Sequence, residues 1–354
     1  MPGSRLPSLT GLRWAAAMLV FAEHVVNRVL AADVRVPDPV AGAAWALFSH
    51  AGALGVSFFF ALSGFVLAYS ARHGDTRRAF WRRRWAKIYP LHVVTALLAA
   101  ALLLTTAGTV TPWQVLANVT LTQAWIPDPA IYTSLNPVSW SLSCEALFYL
   151  CFPFLLPALR HMSTIWLRSL ILALPVVVLA INVALIGADH EVAKWTAYLL
   201  PAARLVGFTL GVVVAVLVTR GEWRGPGLGW SLILLAVVYA AAAETPYPVH
   251  LHALTLGPVV LVIAAAATAD RSGVRTLWSR PALVYMGEVS FAFYMIHYLV
   301  LLVADQLGMI ASPVGPLRAV AVTAVVFATS LAGAVALHHG VENPAYRRLK
   351  GQRT

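Results

Sequence analysis

The sequence predicts an all-α integral membrane protein, a bundle of about ten transmembrane helices with both termini in the cytoplasm. Of the 354 residues, 60% are hydrophobic and 11% are charged, and the mean hydropathy is +0.77. Soluble domains are nearer 45–50% apolar and about 25% charged. Apolar runs of about 20 residues recur, each long enough to cross a bilayer as a helix, whereas alternating strand-like segments do not. The predicted spans are 8–30, 50–70, 89–108, 141–159, 168–187, 197–219, 228–243, 249–269, 282–304 and 316–339.

The basic residues predict the orientation. With a cytoplasmic N-terminus, 19 Lys and Arg residues fall on the cytoplasmic side and 4 on the other, while Arg13 and Arg204 lie inside spans. This is the positive-inside pattern, which favours an even number of spans. The net charge of +11 therefore reflects topology, and we expect membrane lipid and no nucleic acid as partner. The expected location is the cell membrane, specifically the inner membrane of a bacterium.

The whole chain, 1–354, is expected to form one domain, because no linker or low-complexity tract interrupts it. The longest stretch between spans, about 109–140, is apolar and aromatic, which predicts a short interfacial helix. Cys144 and Cys151 are seven positions apart on one predicted helix, too far apart for a disulfide. The histidines lack a plausible set of metal partners, so we expect no metal.

The first span carries three ionisable residues, Arg13, Glu23 and His24. Such a group in hydrocarbon costs roughly 2.5–3.5 kcal/mol on insertion scales, so it usually faces protein or a watery cavity. Eleven helical steps place Arg13 and His24 on one face, about 16–17 Å apart along the axis. Arg13 would lie near the cytoplasmic end and His24 near mid-depth, where an imidazole suits general-base catalysis. A signal peptide over 1–31 is the alternative, but Glu23 and His24 argue against it.

The second span contains small residues throughout the segment "GALGVSFFFALSGFVLAYS". They could allow close helix packing, or Ser63 and Gly64 could open the backbone to a ligand. The loop before the third span holds seven basic residues, more than topology requires. Its segment "RRAFWRRRWAKIYPLH" could anchor anionic lipid, or it could clamp a polyphosphate donor such as coenzyme A.

Two further spans carry polar groups. Glu145 enters the fourth span after Trp140 and Ser143. It could be protonated, could pair structurally with an arginine such as Arg204, or could orient a catalytic imidazole. In the ninth span, His297 is as compatible with a core histidine as with a ligand contact.

These stretches together resemble the acyltransferase 3 family of membrane acyltransferases. The chain has Arg13 and His24 at the family's spacing, then "GVSFFFALSGF", "RRWAKIYPLH", "WSLSCEALFY", "GEVSFAFYMIH" and a final "VENPAYRR", in the family's order. The chain departs from the family at Lys87, where an arginine is common, and at Ala146, where a polar residue often follows the motif glutamate.

The resemblance implies a ten-helix bundle that moves an acyl group from cytoplasmic acyl-CoA to a hydroxyl of a sugar or glycoside. The donor would be acetyl-CoA or a short acyl-CoA used as co-substrate, with no permanently bound cofactor. In this interpretation His24 and Glu145 are catalytic. The acyl-CoA would contact Arg13, Ser63, Arg83, Arg84, Lys87 and Tyr89. The acceptor, or the catalytic side chains themselves, would contact Trp140, Ser143, Tyr149, Tyr294 and His297.

Other functions remain open at this point. A transporter or exporter of a small organic acid or glycoside would also place ionisable residues inside a helical bundle. Such a protein more readily shows paired half-helices or internal symmetry, and the sequence has neither. High Ala and Arg usage is typical of a high-GC bacterium. A glycosylated antibiotic is therefore an alternative to a surface polysaccharide as the acceptor. The oligomeric state stays open.

Overall fold

A computed structural model describes residues 6–30, 39–71, 74–105, 108–310 and 315–350. The described residues are predominantly helical and contain no strand, as predicted. The α-helices are α1 (Pro7–Val25), α2 (Pro39–Phe48), α3 (Ala51–Tyr69), α4 (Arg77–Thr105), α5 (Pro112–Val119), α6 (Pro129–Tyr132), α7 (Trp140–His161), α8 (Thr164–Ala184), α9 (His190–Lys194), α10 (Pro201–Arg220), α11 (Leu228–Ala243), α12 (Val249–His252), α13 (Leu256–Arg271), α14 (Pro281–Gln306), α15 (Pro316–Leu337) and α16 (Asn343–Leu349).

Among the described residues, six short segments have other helical geometries. Val26–Leu30, Trp195–Leu199 and His338–Glu342 are π-helical, and Gln123–Trp125, Pro137–Ser139 and Leu277–Ser279 are 3₁₀-helical. The first π-helix directly continues α1 and begins at Val26, two residues after His24. Single π-helical turns of this kind are frequent at functional sites.

Nine helical segments in the described part of the chain are long and apolar enough to cross a membrane. They are Pro7–Leu30, Ala41–Tyr69, Arg77–Thr105, Pro137–His161, Thr164–Ala184, His190–Arg220, Val249–Arg271, Pro281–Gln306 and Pro316–Leu349. Each overlaps one predicted span. The remaining predicted span, 228–243, coincides with α11, whose 16 residues rise only about 24 Å. That is less than the roughly 30 Å hydrocarbon core, so the tenth crossing and the orientation of the termini stay predictions.

The chain divides into two compact units, each built from three separate stretches. Unit one comprises Met1–Ala16, Ala53–Asp75 and Cys144–Glu288, and unit two comprises Ala17–Gly52, Thr76–Ser143 and Val289–Thr354. The single domain expected from the sequence stays a prediction.

In unit one, helices α3 and α10 meet backbone to backbone. A Cβ added at Gly64 would lie 2.0 Å from the carbonyl oxygen of Phe208, and one at Gly211 would lie 1.8 Å from that of Ala61. No side chain fits at either position, which is how small residues allow close packing of membrane helices. The packing interpretation of the second span is therefore confirmed at Gly64.

In unit two, the segment between the third and fourth spans contains the short helix expected there. Helix α5 begins with a capping box, in which the Thr111 hydroxyl accepts from the Gln114 amide while the Gln114 side chain accepts from Thr111. This arrangement satisfies two backbone N–H groups that the first turn of a helix otherwise leaves unpaired. Trp113 on α5 is 55% exposed. Tryptophan side chains that the protein leaves uncovered are typical of the membrane–water interface, where they lie among the lipid headgroups.

Candidate active site

One helix, α1, carries both Arg13 and His24, so the helical register assumed for this pair is correct. Arg13 belongs to unit one and His24 to unit two. Both side chains are half-buried. The neighbouring Glu23 has a different task, since its Oε2 accepts a hydrogen bond of 2.6 Å from the backbone N–H of Gly52. Gly52 lies in the first turn of α3, where a carboxylate satisfies an unpaired N–H group and complements the helix dipole.

His24 is paired with a second histidine. Its Nδ1 lies 2.8 Å from Nε2 of His297 on α14, and the two rings are stacked 5.1 Å apart. The other nitrogen of His297, Nδ1, lies 3.1 Å from the carbonyl oxygen of Phe293, one turn earlier. All three residues belong to unit two. The structure therefore shows a direct contact between His24 and His297. The sequence alone predicted His297 only as a residue near the acceptor or the catalytic side chains, without naming its partner.

This chain of contacts assigns the protons. A carbonyl oxygen only accepts, so His297 Nδ1 carries a hydrogen and donates it to Phe293. In an uncharged His297, Nε2 is then an acceptor, and His24 Nδ1 must be the donor between the rings. Neutral His24 consequently has its lone pair on Nε2, the nitrogen for which the described residues provide no hydrogen-bond partner. A general base requires this tautomer.

Aromatic rings hold the pair in place. His297 is fully buried, with Phe21 6.2 Å and Phe293 5.8 Å from its ring centre. Burial among hydrocarbon favours the uncharged imidazole, because a charge there would lose its hydration. Tyr298 packs edge-on against His24, with ring centres 4.8 Å apart. His24 itself stays half-buried and therefore reachable.

Glu145, the second predicted catalytic residue, lies in unit one with Ser63, whose hydroxyl donates to Glu145 Oε2 over 3.1 Å. Both were predicted site residues, and the structure brings them together. Because Glu145 and His24 belong to different units, their pairing stays a prediction. The structural alternative, an ion pair with Arg204, is not seen among the described residues, where Arg204 donates to the Ser57 hydroxyl.

Arg204 is buried in α10 and its guanidinium stacks over two aromatic rings. Its Cζ lies 5.2 Å from the Phe60 ring centre and 5.0 Å from that of Tyr198. These cation–π contacts, with the hydroxyl of Ser57 2.9 Å from Nη2, partly compensate for lost hydration. Arg204, Ser57 and Phe60 line a small cavity in unit one together with His252. The sequence identified Arg204 only as a charge inside a span.

The predicted acyl-CoA residues on α4 lie in varied surroundings. Lys87 forms an ion pair with the fully buried carboxylate of Glu342, which also accepts from His338 Nδ1 at 2.8 Å. Removing one partner of such a pair leaves an uncompensated buried charge, so Lys87 also has a structural task. Arg83 is half-buried, and the Arg84 guanidinium lies 6.0 Å from the Phe80 ring centre.

Tyr89 lies two residues after Lys87, the last of the basic residues in this segment. Its hydroxyl donates to the carbonyl oxygen of Val119 over 3.2 Å, and its ring stacks on Trp85 at 4.0 Å. Arg82, in the same segment, donates through Nε to the carbonyl oxygen of Leu349 in α16. The basic segment therefore also attaches the C-terminal helix to α4, which the sequence did not indicate.

Two of the predicted acceptor contacts are buried structural groups of unit two. Ser143 donates to Gln123 Oε1 at 2.9 Å, and the Tyr294 hydroxyl donates to the Val138 carbonyl oxygen at 3.0 Å. Trp140 is 8% exposed. Tyr149, in unit one, is half-buried one turn after Glu145. The roles predicted for these residues stay predictions.

Cys144 and Cys151 are free thiols. No group of three or more His, Cys, Asp or Glu side chains among the described residues is arranged to hold a metal ion.

Comparison with known proteins identifies the family. The profile of the acyltransferase 3 family, described as "Acyltransferase domain", matches residues 6–339. The chain belongs to the acyltransferase 3 family. It is a multi-pass membrane protein of a family of acyl-transferring enzymes. The family match covers nearly the whole chain.

Individual acyltransferase 3 relatives are bacterial proteins. The chain is 39% identical over 368 residues to acyltransferase MdmB of Streptomyces mycarofaciens, covering 99% of this chain and 94% of that protein. It is 27% identical over 316 residues to the exopolysaccharide production protein ExoZ of Rhizobium meliloti, covering 85% and 92%. It is 26% identical over 317 residues to nodulation protein 10 of Rhizobium leguminosarum bv. viciae, covering 82% and 81%. No solved structure matches the chain.

Proposed function

We propose that this protein is an O-acyltransferase of a bacterial inner membrane that uses acyl-CoA and acylates a hydroxyl of a sugar or glycoside. His24 is the general base. Its Nε2 takes the hydroxyl proton while the acceptor oxygen forms a bond to the thioester carbonyl carbon. The carbon–sulfur bond then breaks, and the proton passes from His24 to the departing thiolate of coenzyme A.

The observation that carries this proposal is the hydrogen-bond chain from His24 through His297 to the Phe293 carbonyl. It leaves the lone pair on Nε2, and it gives the imidazolium formed during the reaction an acceptor for its Nδ1 hydrogen. A buried aspartate performs this orienting task in serine hydrolases. A neutral imidazole supplies the orientation with less charge stabilisation.

The choice of donor rests on charge and on the family. The basic segment of α4 offers guanidinium groups, which bind phosphate oxygens bidentately. The acceptor class is supported by the ExoZ relative, an exopolysaccharide production protein. A glycosylated small molecule is an equally specific candidate acceptor, because the high Ala and Arg content is typical of high-GC bacteria.

The proposal is tested with purified protein in detergent, where no second compartment exists. Acetyl-CoA, propionyl-CoA and butyryl-CoA are incubated with a panel of methyl glycosides and glycosylated antibiotics. We expect release of free coenzyme A thiol that depends on the acceptor, and a product heavier by one acyl group in mass spectrometry. Vesicle uptake of an organic acid or glycoside without any thiol release would instead establish the transporter.

A prediction concerns the basic segment of α4. Replacing Arg83 by Glu should raise the KM for acyl-CoA about tenfold, equivalent to about 1.4 kcal/mol, because a phosphate contact is lost and a repulsion is added. The KM for the acceptor should change less than twofold. Added salt should reproduce part of the effect in the unmodified protein, because exposed charges are screened.

The matched control is Arg78→Glu, which makes the same charge change on an exposed residue of α4. If both variants raise both KM values equally, the segment is a lipid anchor rather than a donor site. Altered membrane topology, measured by cysteine accessibility, would lead to the same conclusion.

A further inference from the structure

Three side chains form a half-exposed polar group directly beside His24, in unit two. Tyr298 contacts the His24 ring, and Arg28 lies over the Tyr298 ring with Cζ 5.7 Å from its centre. Arg28 also forms an ion pair of 3.0 Å with Asp305 Oδ2. The side chains of Arg28 and Asp305 are 34% and 46% exposed.

Stability alone explains this group poorly. An ion pair with such exposure contributes little to folding. Asp305 lies in the last turn of α14, where the helix dipole disfavours a carboxylate. In addition, Arg28 Nε is buried and has no hydrogen-bond partner among the described residues. An unpaired buried donor is unfavourable, so this atom is a further sign that stability alone does not account for the placement of Arg28.

The position of Arg28 follows from local backbone geometry. Arg28 lies four residues after His24, within the π-helix Val26–Leu30 that continues α1. Residues four apart are neighbours on a helix surface, and the wider π turn adjusts the direction of the second one. Arg28 is also fifteen residues beyond Arg13, toward the opposite end of the span.

We propose that Arg28, Tyr298 and Asp305 form the acceptor subsite, which binds a sugar ring beside the base and presents one of its hydroxyls to His24. This inference rests on the acyl transfer proposed above. The carboxylate of Asp305 accepts hydrogen bonds from adjacent hydroxyls, and the guanidinium of Arg28 donates hydrogen bonds to sugar oxygens. The partly exposed ring of Tyr298 offers an apolar face for the C–H side of the sugar.

The chemistry of the group favours a neutral polyol over a charged acceptor. Arg28 and Asp305 neutralise each other, so neither an anionic nor a cationic ligand would gain a net electrostatic attraction. Paired donors and acceptors that are already oriented suit vicinal hydroxyl groups, and a site built for hydroxyls discriminates strongly against analogues that lack them.

The test is a comparison of substrate KM values in the purified protein, with the methyl glycoside that is acylated best. Asp305→Asn and Tyr298→Leu should each raise the KM for that glycoside about tenfold. The KM for acyl-CoA should change less than twofold in both variants. The kcat should change less than threefold in Asp305→Asn, whereas Tyr298→Leu also removes a ring that packs against His24 and carries no such limit. Arg318→Gln is the control, since it removes another exposed charge, one that donates to the Gly308 carbonyl oxygen. It should change none of these values.

A charge swap separates recognition from structural support. The double variant Arg28→Asp, Asp305→Arg keeps an ion pair but exchanges donors and acceptors. If recognition is the role, the swapped protein keeps the thermal stability of the parent and still shows the raised glycoside KM. Recovery of the parent KM in the swapped protein would overturn the proposal and assign the pair a structural role.

A binding measurement distinguishes this inference from the proposed function. Thermal unfolding is followed with increasing methyl glycoside and without acyl-CoA. A stabilisation that saturates in the parent and is lost in Asp305→Asn supports the subsite even if no acyl transfer is detected. Acyl transfer with unchanged glycoside KM and unchanged thermal shift in every variant overturns the subsite while leaving the proposed function intact.

Discussion

Replacement of His24 by alanine should lower the kcat for acyl transfer by at least a hundredfold while the protein still inserts and folds. General-base catalysis contributes typically 10²–10⁴-fold, and alanine has no group to accept the hydroxyl proton. The hydrogen bond to His297 is also lost, but the half-buried position tolerates a smaller side chain better than the core does. The measurement is release of coenzyme A thiol by purified protein, together with its elution volume and unfolding temperature.

The control for this variant is His161→Ala, an exposed histidine at the end of α7. It should keep the turnover of the parent protein. More than a tenth of the parent turnover in properly folded His24→Ala would show that another group removes the proton. The base would then have to be sought elsewhere, with Glu145 as the first candidate.

Replacement of His297 by phenylalanine should lower kcat about ten- to a hundredfold without changing either KM. The variant removes the acceptor for the His24 Nδ1 hydrogen. A hydrogen bond to a charged group contributes about 1.5–3 kcal/mol, and each 1.36 kcal/mol corresponds to a factor of ten in rate. Phenylalanine suits the position because Phe21 and Phe293 already surround the ring.

Two further variants test whether His297 acts through His24. His297→Gln keeps a carbonyl oxygen that can accept the same hydrogen, so it should retain more activity than His297→Phe. The double variant His24→Ala, His297→Phe should be little slower than His24→Ala alone, because groups that act as one unit are not additive. Losses that add in the double variant, or equal losses in Gln and Phe, would give His297 a purely structural role.

Several elements follow from local sequence patterns. Nine predicted spans coincide with long apolar helices because about 20 consecutive apolar residues have one stable arrangement in a bilayer. The eleven-residue spacing of Arg13 and His24 holds because helix geometry is repetitive and local. The predicted span 228–243 is the borderline case. Its helix α11 has 16 residues, which is too short for the length alone to show that it crosses the bilayer.

In the candidate site, the sequence identified the functional residues but not the residues that they contact. Motif residues such as His24, Glu145 and Ser63 could be named in advance, because polar groups inside apolar segments need a specific reason to be there. Their partners could not be named. Glu23 lies next to His24 in the sequence yet accepts from Gly52, and Lys87 lies in a basic run yet pairs with a buried carboxylate 255 positions away.

The sequence by itself determined the class of the protein, the positions of its long apolar helices, its family and the side chains that can perform acid–base chemistry. These depend on composition and on periodicities that operate within a few turns of one helix. Only the tertiary structure decided that His24 meets His297, that Ser63 meets Glu145, and that Arg28 meets Asp305. The physical reason is that each contact joins helices distant along the chain, and which of their faces meet depends on packing of all their side chains together.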